Sequence, residues 1–341
     1  MNIDINERIG KWFMSLEDVD VGNNNTRPLG EIIEEVNTNL HQLADKLYVD
    51  YEPTRGAHPD FWRRLERWLD NVEDAGSQQV LFRLLPHLFF IGPREFDSLY
   101  RTAFNHQIAT WLIDQLDLKL DDPQAGESLQ NSIEATWFCP ITDSMRINKF
   151  YHLNRIEGMD HRPDWRSLDR FGDKDRMSDY IRLHGIKRIV LLEDFVGNGS
   201  QIRKAVECAA QLSPQLPVLV VPLVICPSAD ALITELQGKY NQLTFAPCLR
   251  LPEMEFLTAT PTPGESIIYP AVRIIVESVA DSMKIGVSVN RLAQAKKFIP
   301  YGWHGTGALV VLYTNCPNNT LPIIFHESQN WSALFPRASR V

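Results

Sequence analysis

The chain is short of cysteine, of metal-ligand spacing and of long apolar runs, and each shortage removes a class of function. Its five cysteines, Cys139, Cys208, Cys226, Cys248 and Cys316, are scattered over 341 residues with no CxxC pair. That is neither a zinc signature nor an even disulfide framework, and it points to reduced, mostly buried thiols in a cytoplasm. The nine histidines form no HxH or HExxH cluster. Positive charge is in deficit: 34 Lys and Arg stand against 43 Asp and Glu, a net charge of −9. This argues against a general nucleic-acid surface and leaves any such contact to a local patch or a partner. The longest apolar stretch, Val218 to Cys226, falls far short of the roughly 20 residues a membrane helix needs. Met1 to Asp4 has no basic region followed by an apolar run, so no secretion leader is expected. Internal repeats and low-complexity tracts are also missing. The expectation is a soluble cytoplasmic protein without membrane contact. With 44 % hydrophobic and 23 % charged residues, it is an ordinary globular chain, long enough for two buried cores.

What is present is concentrated in Arg188-Ile189-Val190-Leu191-Leu192-Glu193-Asp194-Phe195-Val196-Gly197-Asn198-Gly199-Ser200-Gln201. Ile189 to Leu192 reads as a short strand of a parallel sheet, apolar on both faces. Two carboxylates follow, then a turn that Gly197 and Gly199 allow to bend sharply and approach a ligand, then an amphipathic helix. Loop amides and a helix N-terminus favour an anion, and Ser200 adds a hydroxyl. Carboxylates touching a phosphate would repel it, so Glu193 and Asp194 are better placed as acceptors for the vicinal hydroxyls of a ribose. No Gly-Lys-Ser/Thr follows, so the segment is not a P-loop. The plainer alternative is a strand ending in Asp before a Gly turn, which doubly wound α/β proteins use often.

The region before residue 126 reads as helical. Leu29, Ile32, Ile33, Val36, Leu40, Leu43 and Leu47 keep three- and four-residue spacing. A second helix starts near Pro59, taken as a first-turn proline, and carries Phe61, Trp62, Leu65, Trp68, Leu69 and Val72. Val80 to Phe90 is kinked or split by Pro86, and Phe96 to Leu112 supplies a further amphipathic stretch. The acidic, Pro- and Gly-containing run from Leu120 to Glu127 predicts a boundary, giving a helical domain over 1–125 and an α/β domain over 126–341. In the latter, strands are expected at Ala135 to Cys139, Ile189 to Leu192 and Ala308 to Tyr313. Helices are expected at Met177 to His184 with Gly185 as its stop, after Gly199, at Asp230 to Leu236 and at Ala271 to Ala280. Pro222 inside Val218 to Cys226 demands a break or an edge position.

A second anion loop is expected directly after the Ala135 to Cys139 strand, where Thr142, Asp143, Ser144 and Arg146 supply hydroxyls, amides and a guanidinium. An ordinary turn with Asp143 or Ser144 as an N-cap is the alternative. The segment from Arg155 to Arg176 is crowded with charge, including His161, Arg162, Asp164, Arg166, Arg170 and Lys174. Near the C-terminus, Gly302-Trp303-His304-Gly305-Thr306-Gly307 precedes a strand and so cannot be a dinucleotide fingerprint. The turn at Pro317-Asn318-Asn319-Thr320 reads as loop chemistry at a strand's C-terminal edge, which makes His304, Asn318 and Asn319 candidates for substrate contact.

The strand, acidic pair and Gly/Ser loop resemble the phosphoribosyl diphosphate (PRPP) motif of type I phosphoribosyltransferases. The Gly-rich turn, the apolar strand and the Asn315 to Pro322 run, ending near Trp331 and Phe335-Pro336-Arg337, resemble phosphoribosyltransferase-like effector domains of bacterial conflict systems, some of them retron-associated. The fold this implies is α/β: a helical N-terminal domain followed by a type I phosphoribosyltransferase-like, mainly parallel sheet with flanking helices. The resemblance implies that Glu193 and Asp194 bind the ribose hydroxyls, and that Gly197, Asn198, Gly199, Ser200 and Gln201 cradle the 5′-phosphate. It implies pyrophosphate at the Thr142 to Arg146 loop, closure of the Arg155 to Arg176 segment over the ligand, and Mg²⁺ as cofactor. One departure is Gly197, where many purine-type members carry an Asp general acid/base. The activity implied is (phospho)ribosyl transfer or glycosidic cleavage on PRPP or a nucleotide. Its setting would be a toxic antiviral effector restrained by a reverse transcriptase–nucleic acid complex and a regulatory protein. A catalytically inactive nucleotide sensor acting through protein partners is the alternative, and a nucleobase salvage phosphoribosyltransferase the third. A homo-oligomer is expected by fold analogy alone.

Overall fold

The computed structural model describes residues 5–14, 28–53, 59–156, 174–284, 293 and 296–338. Seven strands are defined among them: β1 Phe89–Ile91, β2 Thr136–Pro140, β3 Arg188–Val196, β4 Val218–Ile225, β5 Leu243–Phe245, β6 Leu249–Arg250 and β7 Val310–Leu312. The chain forms two compact units, one from residues 1–93 together with 252–341, the other from 94–251. A cut at 125/126 would run through the second unit. The physical reason for the different division is that β1 pairs in parallel with β7, Phe89 opposite Val310 and Ile91 opposite Leu312. The N-terminal helices therefore share their core with the C-terminal tail.

In this first unit the helix Leu29–Lys46 buries Ile33, Val36 and Leu40 of the expected stripe together with Ala44, while Leu29, Ile32 and Leu43 are half-buried. The helix Phe61–Leu69 starts two residues later than a first-turn Pro59 would require. Asp60 is its cap and accepts from the Trp62 amide at 2.9 Å. Pro86 does split its segment: the helix Ala75–Leu84 passes into a 3₁₀ turn, Leu85–His87, and then into β1. Rings of Tyr48, Tyr51, Phe61, Phe90 and Phe335 pack edge to face or tilted, with Phe335 5.1 Å from both tyrosines. Polar bonds fix the tail on these helices. Trp68 Nε1 donates to the Ile323 carbonyl at 2.6 Å, Arg64 Nε to the Leu334 carbonyl at 2.9 Å, and Tyr51 Oη to the Pro336 carbonyl at 2.8 Å.

The second unit is built on a parallel sheet in the order β2-β3-β4-β5, with β6 also beside β4. Helices Lys174–Leu183, Ser200–Ala210 and Asp230–Lys239 fall between successive strands, as parallel pairing demands of its crossovers. One face of the sheet packs into an apolar cluster including Trp137, Ile189, Leu191, Val206, Val218, Val220 and Leu236. β3 runs to Val196, four residues past the expected end, and every residue in it is buried. The carboxylates thus belong to the strand and not to the loop.

β4 overturns the expectation for Pro222. The strand is unbroken and central, with Pro222 opposite Glu193 of β3. The carbonyls of Val220 and Pro222 accept from the Ala246 and Cys248 amides, both at 2.9 Å. A strand residue's amide and carbonyl point to the same side, so the missing proline N–H faces residues 246–248. There the neighbouring strand is itself interrupted, between β5 and β6. The break falls in the neighbour, and β4 stays whole. The expected last strand is real as β7 but pairs with β1, outside this sheet.

Candidate functional site

The site lies at the C-terminal ends of β2 and β3, where side chains leave a rigid strand and loops begin. Successive side chains of a strand point to opposite faces, so Glu193 and Asp194 depart from β3 in opposite directions. They are 1 % and 4 % exposed, and a buried carboxylate must be hydrogen-bonded. The turn after β2 supplies the donors. The Thr142 amide donates to Glu193 Oε2 at 2.9 Å and Thr142 Oγ1 donates to Glu193 Oε1 at 2.8 Å. Ser144 Oγ donates to Asp194 Oδ1 at 2.9 Å, an oxygen that also accepts from the Phe195 amide at 2.8 Å. The two hydroxyls are 2.6 Å apart. Two stretches singled out separately in the sequence, the acidic pair and the Thr142 to Arg146 turn, therefore form one hydrogen-bonded cluster.

An N-cap role for Asp143 or Ser144 is excluded, because the next helix is Ile147–Leu153 with Arg146 at its cap position and no side-chain cap bond. Asp143 and Arg146 are exposed. Of the charged segment from Arg155 to Arg176, residues 157–173 lie outside the described residues. Lys174 and Arg176 sit on the helix Lys174–Leu183.

The loop after β3 is shaped by Gly199. Its φ is +80°, a left-handed conformation that favours glycine, and a Cβ there would press on Leu232 Cδ2, which would have to shift. Asn198 Oδ1 accepts from the Ser200 amide at 3.2 Å and from Ser200 Oγ at 2.9 Å, an Asx turn that starts the helix Ser200–Ala210. Ser228, after β4, donates to the Gly197 carbonyl at 3.2 Å. Sequence reasoning missed both Ser228 and Leu232. Their position just past an apolar strand, where α/β loops converge, was the available signal. Gly197 is buried, while Ser200 and Gln201 are exposed, so the turn presents its helix N-terminus outward. Burial pushes the thiol of Cys226, just past β4, far above the ordinary range. Burial also pushes the Cys248 thiol up to about 12. All five cysteines are free thiols.

His304, Asn318 and Asn319 fall in the first unit, apart in the chain's division from the acidic pair. There Asn319 is a framework residue: its Nδ2 donates to Thr306 Oγ1 at 3.0 Å and its carbonyl accepts from the Ala308 amide at 3.1 Å. The Asn318 carbonyl accepts from the Trp303 amide at 2.8 Å. His304 is exposed, with φ +55°. Among the described residues no three His, Cys, Asp or Glu side chains gather as a metal site, and no helix is long and apolar enough to cross a membrane.

A parallel sheet with flanking helices, carrying an acidic pair at one strand end and a Gly/Ser turn leading into a helix, is a phosphoribosyltransferase-like architecture. The chain belongs to the PRTase-CE family, a family of phosphoribosyltransferase-like effector domains, whose model matches residues 65–337. That span takes in parts of both units and all of the candidate residues. No curated protein and no solved structure matches the chain.

Proposed function

We propose that the chain binds the ribose-phosphate part of PRPP or a nucleotide at the ends of β2 and β3 and acts at its anomeric carbon, by transfer or by glycosidic cleavage. The observation that carries this reading is the direct bonding of Thr142 and Ser144 to Glu193 and Asp194. It supports a reading in which the Thr142 to Arg146 turn, for pyrophosphate, and the acidic pair, for ribose, act as one site. Glu193 and Asp194 accept from the ribose hydroxyls and fix the ring. The Gly197 to Gln201 turn offers first-turn amides, which lack intrahelical partners, to the 5′-phosphate. Holding both ends of the sugar aligns the anomeric carbon for an oxocarbenium-like transition state, and this alignment is a large part of what such a site contributes. The side chains gathered here offer only oxygen atoms, as Mg²⁺ prefers, and Glu193 and Asp194 are the residues that would hold it. When bound, it would neutralise charge on a departing pyrophosphate.

In this reading the protein is a cytoplasmic antiviral effector of the retron type, toxic when active and restrained by a reverse transcriptase–nucleic acid complex and a regulatory protein. Family membership and the five free thiols support that setting. One observation favours a second reading. Gly197 occupies the position where a general acid/base Asp is expected, and a site without it suits a nucleotide sensor that signals through partners. Turnover of PRPP and nucleotides by the Glu193→Gln/Asp194→Asn protein, checked for folding by circular dichroism, decides between them. The enzyme reading expects base or pyrophosphate release by the parent chain and its loss in the variant. Equal release by both would refute it. Calorimetric binding by the parent chain without any release would identify the sensor.

A further inference from the structure

The hydroxyl pair facing the carboxylates has a chemistry of its own. Thr142 Oγ1 gives its hydrogen to Glu193 Oε1 and Ser144 Oγ gives its hydrogen to Asp194 Oδ1, yet the two hydroxyl oxygens stand only 2.6 Å apart. Each hydroxyl has one hydrogen. Three short contacts thus share two hydrogens, and either hydroxyl can turn to donate to the other. Two oxygens sit side by side, each within reach of a different carboxylate. A cis-1,2-diol on a five-membered sugar ring presents the same arrangement, with two ring carbons doing the holding. Glu193 and Asp194 leave β3 on opposite faces, and the hydroxyl pair reaches both of them.

We propose that Thr142 and Ser144 occupy the diol subsite of the acidic pair and that a ribose ligand binds by displacing them. The turn at residues 141–146 is thus an internal competitor, and the described conformation is the closed state of the site. The inference rests on the reading of Glu193 and Asp194 as ribose acceptors given above. A ligand that needs the open state has its affinity reduced by the fraction of molecules in that state. The reduction falls on ligands that use both hydroxyls and spares those that use only the phosphate turn.

Calorimetric titration of the full chain with ribose 5-phosphate tests this, since that probe carries the diol and the 5-phosphate but no pyrophosphate. Removing the competitor in Thr142→Val/Ser144→Ala should tighten ribose 5-phosphate binding by at least tenfold and leave inorganic phosphate binding at the Gly197 to Gln201 turn within about twofold. Equal or weaker ribose 5-phosphate binding by the variant, with measurable binding by the parent chain, would overturn the competitor role and leave the ribose-site reading standing. No ribose 5-phosphate binding by either protein would remove both. If the double variant does not fold, Ser144→Ala alone should still tighten binding several-fold, because Thr142 keeps both of its bonds to Glu193. In the parent chain, saturating ribose 5-phosphate should speed hydrogen exchange at the Thr142 amide, whose acceptor is Glu193 Oε2. Slower exchange there would count against displacement.

Discussion

Gly199→Ala is the sharpest test of the loop that follows β3. Two separate costs arise at this position. An alanine at φ +80° sits in left-handed backbone, which costs about 1–2 kcal/mol for an L-residue. Its methyl would also press on Leu232 Cδ2, and overpacking of that kind costs about 1–3 kcal/mol. The expected loss is about 2–5 kcal/mol, a large share of the roughly 5–15 kcal/mol that ordinary domains possess. Leu232→Ala separates the two terms. By itself it should cost about 2–5 kcal/mol as a buried truncation, but in the Gly199→Ala background it opens room for the new methyl. The double variant should therefore be more stable than the sum of the single losses predicts, by about the overpacking term, while the backbone term stays. Urea denaturation followed through the second unit measures all three, and phosphate binding reports the geometry of the turn. A loss below 1 kcal/mol for Gly199→Ala, or strict additivity with Leu232→Ala, would refute the account of this loop.

Other expectations concern the first unit and the carboxylates. Burial lowers the pKa of His87 and of His326 from 6.5, so the folded state holds fewer protons there than the unfolded chain. Stability of the first unit should be at its full value above about pH 6.5 and fall as the pH drops through the lowered values, seen in thermal melts between pH 7.5 and 5. His326→Gln should flatten that slope. Deleting the residues after Asn330 removes Trp331, Leu334 and Phe335, which are 2 %, 0 % and 0 % exposed. At about 1.5–3 kcal/mol for each buried side chain, the first unit should lose its cooperative melt; a retained transition would show the tail to be dispensable. Asp194→Asn preserves shape but replaces a charged acceptor, so ribose 5-phosphate binding should weaken by about tenfold, or 1.4 kcal/mol, and unchanged affinity would remove Asp194 from the site.

Much of the site was legible because its chemistry is local. The acidic pair, the Gly/Ser turn and the helix after it are contiguous, and the Thr142 to Arg146 turn follows its own strand directly. What joins them is not local. No pattern in the sequence says that Thr142 and Ser144 would reach Glu193 and Asp194, because that depends on β2 and β3 being neighbours in register, Pro140 opposite Leu192. The extension of β3 to Val196 escaped notice because two carboxylates read as the end of a buried strand, and only the donors from the neighbouring turn allow them to remain inside it. Pro222 misled for the mirror reason. A proline's demand can be met by a gap in the adjacent strand, and residue pattern shows only the strand that carries the proline. The boundary at 125/126 failed to anticipate the division because a Pro- and Gly-containing run marks a loop, whereas the partition is set by the pairing of β1 with β7.

That pairing also sets an order of events during synthesis. Residues 94–251 are continuous in the chain, and their contacts can form as soon as they have emerged. Phe89 must wait for Val310, and Tyr48 for Phe335, so the first unit has its helices early and its core late. Long-range pairing of this kind slows folding and leaves apolar surface exposed meanwhile. The half that holds Glu193 and Asp194 is thus competent to assemble while the other half is still incomplete. A nascent chain would carry the candidate site before its N-terminal helices have found their core.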